Sequence, residues 1–118
     1  MDKNLEILAY PLLIDVYNKV INIYGVKQQF IIAMEELAEL IQNLSKYLRY
    51  GNTEKVISNI VNEIVDCEIM IDQIKIIINQ DKDKYQSVFR IKSLRIREIV
   101  KKENFFKKNK FGVLQNEL

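Results

Sequence analysis

The chain has no histidine, no tryptophan, one cysteine, one proline and three glycines among its 118 residues. Each scarcity excludes something. With Cys67 alone, no internal disulfide can form, and a reducing, cytoplasmic setting is expected. One cysteine and no histidine leave no donor set for a structural zinc site. Di-iron bundle proteins use Glu-x-x-His motifs, and this chain cannot make one. Long apolar runs are missing as well. No window reaches 18 uncharged apolar residues, so no transmembrane span is expected; "IKIIIN" is far too short. The opening "MDKNLEILAY" mixes acid and base and lacks a clean apolar stretch, so no signal peptide is expected.

What is present reads as one soluble globular domain. The apolar fraction is 48% and the charged fraction 29%, which is not the balance of a disordered chain. Isoleucine occurs 19 times, lysine outnumbers arginine 14 to 4, and asparagine occurs 11 times. That bias fits an AT-rich genome and carries little chemistry. Charge is unevenly placed. Residues 1–89 hold 9 Lys/Arg against 13 Asp/Glu, whereas residues 90–118 hold 9 against 3, an acidic body with a basic end.

Pro11, Gly25, Gly51 and Gly112 are almost the only punctuation, and between them the apolar period is helical. The pattern predicts an all-α fold of four helices. The first runs from about Pro11, a first-turn residue, to Tyr24, with a separate earlier turn over 4–9. The second runs from about Lys27 to Tyr50, where Ile31, Met34, Leu37, Ala38, Ile41 and Leu44 recur at spacings of three and four. Gly51 provides a left-handed cap and Thr53 an N-cap for a third helix over about Glu54–Ile78. Asp81 or Asp83 caps a fourth helix that reaches about Lys102. Valine and isoleucine favour strands, but runs of about 20 residues without alternation favour helices. The core is expected over about 11–102, followed by a basic, aromatic tail at 103–118.

Three glutamates stand inside "AMEELAEL", an otherwise apolar stretch. Like charges at i,i+3 and i,i+4 repel, so packing alone does not select them. Glu36 and Glu39 are spaced i,i+3. In "NEIVDCEIM", Glu63 and Asp66 repeat that spacing. A hairpin folded at Gly51-Asn52 sets both pairs at nearly the same height. Four converging carboxylates are costly unless a cation lies among them. Mg²⁺, which takes hard oxygen ligands and keeps waters for substrate phosphates to replace, suits such a set. The plain alternative is four ordinary solvated helix charges.

The pair of motifs, Glu36-Leu-Ala-Glu39 and then, after 23 residues, Glu63-Ile-Val-Asp66, resembles the MazG-like all-α nucleoside triphosphate pyrophosphohydrolases. "YGVKQQFIIAMEE" and "RIKSLRIREI" also look like the small phage and bacterial members. The resemblance spans about residues 24–100. It implies a four-helix MazG-like bundle completed by oligomerisation, as a dimer or tetramer. It also implies hydrolysis of a nucleoside triphosphate, a deoxynucleotide or non-standard nucleotide, to the monophosphate and pyrophosphate in nucleotide-pool control. Glu36, Glu39, Glu63 and Asp66 match the family's catalytic Mg²⁺ ligands, with Mn²⁺ as a substitute. One carboxylate not fully used as a ligand can accept a proton from water, and Glu35 is an adjacent candidate.

Other residues weigh less. Gln29 resembles a Gln in related sequences, which implies a hydrogen bond to base or sugar; a surface glutamine is the plainer reading. Lys46 can reach a phosphate as a point charge. Lys92 and Arg95, i,i+3 on the fourth helix, suit phosphate charge. Cys67 reads as a small buried residue, since no histidine can activate it. Asp72 is expected to pair with Lys75 or with a partner chain. Isoleucines over most of one helix circumference, Ile69 to Ile78, suggest burial against another subunit. The rival readings are a non-catalytic helical interaction module with an acidic face, and a nucleic-acid-binding regulator that uses the basic C-terminal part. Membrane binding is not expected, and the tail's lysines and phenylalanines read as a solvated or subunit-wrapping segment.

Overall fold

The computed structural model describes the backbone of residues 3–111 and the side chains of residues 13–105, 107 and 108. Among the described residues all regular structure is helical: α1 Lys3–Tyr24, α2 Val26–Tyr50, α3 Glu54–Ile77 and α4 Lys82–Phe111. None of these helices is long and apolar enough to cross a membrane. The chain divides into two compact units, residues 1–79 and 80–118.

In the first unit, α2 and α3 form the principal packing pair and α1 rests on both. Three residues, Gly51–Thr53, separate α2 from α3, which forces an antiparallel hairpin. Gly51 has φ 82° and ψ −167°, a region essentially reserved for glycine. The expected left-handed cap therefore has the expected sign of φ but an extended ψ. Its N–H still closes α2 by donating to the Tyr47 carbonyl at 2.8 Å. Thr53 opens α3 as the sequence suggests, its Oγ1 accepting from the Val56 N–H at 3.2 Å. The core of this unit comprises Tyr17, Ala33, Val56, Cys67 and Met70.

Two boundaries differ from expectation. α1 continues through Pro11, its ninth residue, instead of starting there. Proline's fixed φ is helical, so the helix can pass it at the loss of one backbone hydrogen bond. α4 extends nine residues past Lys102. "ENFFKKNKF" contains no Gly or Pro, so nothing stops the helix before Gly112. The last part of the expected tail, 112–118, lies outside the described residues, as do the side chains of Phe106, Lys110 and Phe111.

The second unit is α4 and the turn before it. Asp81 caps this helix, its Oδ1 accepting from the Asp83 and Lys84 N–H groups at 2.8 and 3.2 Å. Every described side chain from Asp81 to Phe105 is exposed.

Candidate metal centre

Two hydrogen bonds fix how α2 and α3 face one another. Gln29 Nε2 donates to Gln73 Oε1 at 2.7 Å, with both side chains buried. The Cys67 thiol donates to the Glu36 carbonyl at 3.3 Å. These bonds join positions 44 and 31 residues apart, as expected for an antiparallel pair folded about Gly51-Asn52. Between them and the turn, the register sets Glu36 and Glu39 of α2 level with Glu63 of α3.

The three glutamates converge. Glu36, Glu39 and Glu63 each offer a carboxylate oxygen, and these oxygens lie within 4.8 Å of one another. Glu36 and Glu63 are half-buried, whereas Glu39 is exposed. None of the ion pairs among the described residues includes any of the three. The Oε2 atoms of Glu36 and Glu63 are buried without a hydrogen-bond partner. A carboxylate can only accept, so two such atoms on residues of one cluster leave a deficit of positive charge or of a proton.

The electrostatics express that deficit. Glu36 is pushed up to about 7, first by loss of hydration and then by the charges of Glu39 and Asp66. A proton on Glu36 would also hydrogen-bond to Glu63. Glu63 is raised as well, chiefly by burial and by the charge of Glu39. The Cys67 thiol is raised by burial and then by the Glu36 charge, so it is a poor nucleophile.

Asp66 stands outside the group of three. It is exposed, and its side chain is one methylene shorter than a glutamate's, yet its charge is felt at both Glu36 and Glu63. The donor set therefore fits a hard divalent cation: three carboxylates, two with unsatisfied buried oxygens, and a fourth acid alongside.

The other candidate residues are not part of the three-carboxylate group. Gln29 is only 3% exposed and is held by Gln73, which places it in the helix interface. Gln73 itself was not singled out from the sequence, although it and Gln29 stand nearly equidistant from the hairpin turn. Lys46 is exposed on α2, and Glu35 is exposed beside Glu36. Lys92 and Arg95 are exposed on α4, in the second unit. Asn43 is buried and donates back to the Glu39 carbonyl at 2.9 Å. Asp72 pairs with Lys75 at 3.8 Å, one of the two pairings expected for it. No protein-family model, curated protein or solved structure matches this chain.

Proposed function

We propose that Glu36, Glu39 and Glu63, with Asp66 beside them, hold a divalent cation, and that the protein hydrolyses a nucleoside triphosphate to its monophosphate and pyrophosphate. The observation that carries the metal assignment is the pair of buried, unpartnered oxygens on Glu36 and Glu63 inside a three-carboxylate cluster. Support for the reaction comes from the two E-x-x-[ED] motifs on paired helices and their MazG-like spacing. An oligomeric MazG-like bundle belongs to the same proposal.

Each residue has a distinct part. Glu36 and Glu63 are ligands through their buried oxygens, and the exposed Glu39 faces both cation and solvent. When bound, Mg²⁺, or Mn²⁺ in its place, supplies positive charge against the triphosphate and makes water more acidic. Asp66, exposed and outside the group of three, is available to accept a proton from water. Lys46 is a mobile point charge for a phosphate.

The test is pyrophosphate release from a panel of ribo- and deoxynucleoside triphosphates with Mg²⁺. Turnover is expected with at least one of them, and it should vanish in EDTA and in Glu39→Gln or Asp66→Asn without loss of helicity. A second reading, a polyanion-binding module, is favoured by the exposed, lysine-rich α4. It requires instead nucleic-acid binding that weakens steeply with salt and is lost when residues 101–118 are removed.

A further inference from the structure

Helix α4 carries 11 Lys/Arg against 3 Asp/Glu, and its described side chains are exposed. The charge is not spread evenly around it. At about 100° per residue, Arg90, Ser93, Arg97, Lys101, Asn104 and Lys108 fall within a wedge of about 80°. Their spacing is three or four throughout, so they form one row along the helix. From Arg90 to Lys108 the row runs about 27 Å. Within that interval it contains neither a carboxylate nor an apolar side chain. Glu98, just beside the row, pairs with Lys101 at 3.5 Å. Both partners are exposed, so the pair is worth little and a phosphate can displace it. The other ion pairs among the described residues leave Arg90, Arg97 and Lys108 unused.

The opposite side of α4 differs in kind. Tyr85, Val88, Phe89, Ile96, Ile99 and Val100 share it. Apolar packing and the basic row therefore do not compete for one face.

We propose that the row from Arg90 to Lys108 binds the phosphate backbone of double-stranded DNA without reading its sequence. This rests on the reading of α4 as a polyanion-binding helix, and the metal centre has no part in it. The chemistry of the row selects phosphate: Arg, Lys, Ser and Asn are the side chains that hold backbone phosphate oxygens in protein–DNA contacts. Its length selects a polymer, since a single nucleotide covers only part of about 27 Å. Binding of single strands relies on aromatic side chains that stack on bases, and the row has none. The major groove of B-DNA admits an α-helix, whereas that of duplex RNA is too narrow. A protein partner would need an aromatic or aliphatic anchor, which is also missing from the row. A lipid surface would have to bury Lys92 and Glu103, which stand within the apolar side.

The test is fluorescence anisotropy of the full chain with a short labelled DNA duplex across a salt series. Four phosphate contacts predict that log K falls with log[salt] at a slope of about −3.6. Arg90→Gln/Arg97→Gln should bring the slope to about −1.8 and weaken binding at least about tenfold, with helicity retained. Lys84→Gln/Lys102→Gln removes the same charge from another side of α4 and should leave the slope near its wild-type value. Equal losses in the two double variants, or tighter binding to an RNA duplex or to anionic vesicles, would overturn the proposal. Binding to single-stranded DNA or inorganic polyphosphate but not to the DNA duplex would overturn it while leaving the polyanion reading in place. Binding to none of these would overturn both.

Discussion

The Cys67 thiol on α3 donates to the Glu36 backbone carbonyl on α2 at 3.3 Å, so one hydrogen bond ties the two helices at the height of the carboxylates. Cys67 is only 3% exposed, and the acids around it hold the thiol up. A buried thiol that close to four carboxylates resists ionisation, and the thiolate is the reactive form. Ellman's reagent at pH 8 should therefore modify Cys67 much more slowly in the native chain than in guanidinium. Equal rates in both states would mean that the helices part at this point.

The buried amide pair tests the same packing nearer the open end of the hairpin. Gln29→Leu or Gln73→Leu leaves one buried amide without its partner, at a cost of about 1–3 kcal/mol. Replacing both removes the unmet hydrogen bond, so Gln29→Leu/Gln73→Leu should recover most of that loss. Urea denaturation of the three variants measures it. Costs that merely add would show that the two amides do not depend on each other.

These two contacts also mark where the sequence is informative. Helical period and scarce punctuation suffice for α2 and α3, because Gly25, Gly51 and Thr53 stand at their ends. They are less informative at Pro11, since a proline marks a boundary only when the helix cannot bear one missing bond. α4 outran its expected end because apolar periodicity fades after Val100 while helix-compatible residues continue. Within the site, spacing is enough to bring Glu36, Glu39 and Glu63 to one height. It does not separate Asp66 from them, since that depends on side-chain length and on which atoms are buried. Gln73 escaped notice for a similar reason: a lone glutamine in an isoleucine-rich helix looks like a surface residue until its partner at the same height is considered.

The carboxylate cluster should make the metal-free protein less stable as pH rises. Glu36 has an ordinary value of 4.5 and is held at about 7 in the folded chain. Between those values the folded state binds more protons than the unfolded state, so stability falls with increasing pH. This contribution is complete below about 4.5 and is lost as pH passes about 7. Glu63, raised as well, acts in the same direction. In EDTA the urea midpoint should decline from pH 5 to pH 7.5, and saturating Mg²⁺ should restore it at the upper end. A midpoint that rises with pH across this window in EDTA would contradict the electrostatics of the cluster.

The hairpin turn offers a purely conformational test. A Cβ at Gly51 would meet no atom within 4 Å, so Gly51→Ala introduces no clash. The cost is the backbone alone, at φ 82° and ψ −167°, and should be about 1–3 kcal/mol. Thermal unfolding of Gly51→Ala measures it, and an unchanged midpoint would mean that the turn readily adopts another conformation.

The central claim is that Glu36 and Glu63 turn their buried oxygens toward a cation. Titration of the metal-free chain with Mn²⁺, followed by electron paramagnetic resonance and by competition with Mg²⁺, tests it most directly. Saturable binding to the wild-type chain is expected, displaced by Mg²⁺ and weakened at least about tenfold in Glu36→Gln and in Glu63→Gln at unchanged helicity. No saturable binding, or equal binding by both variants, would contradict it.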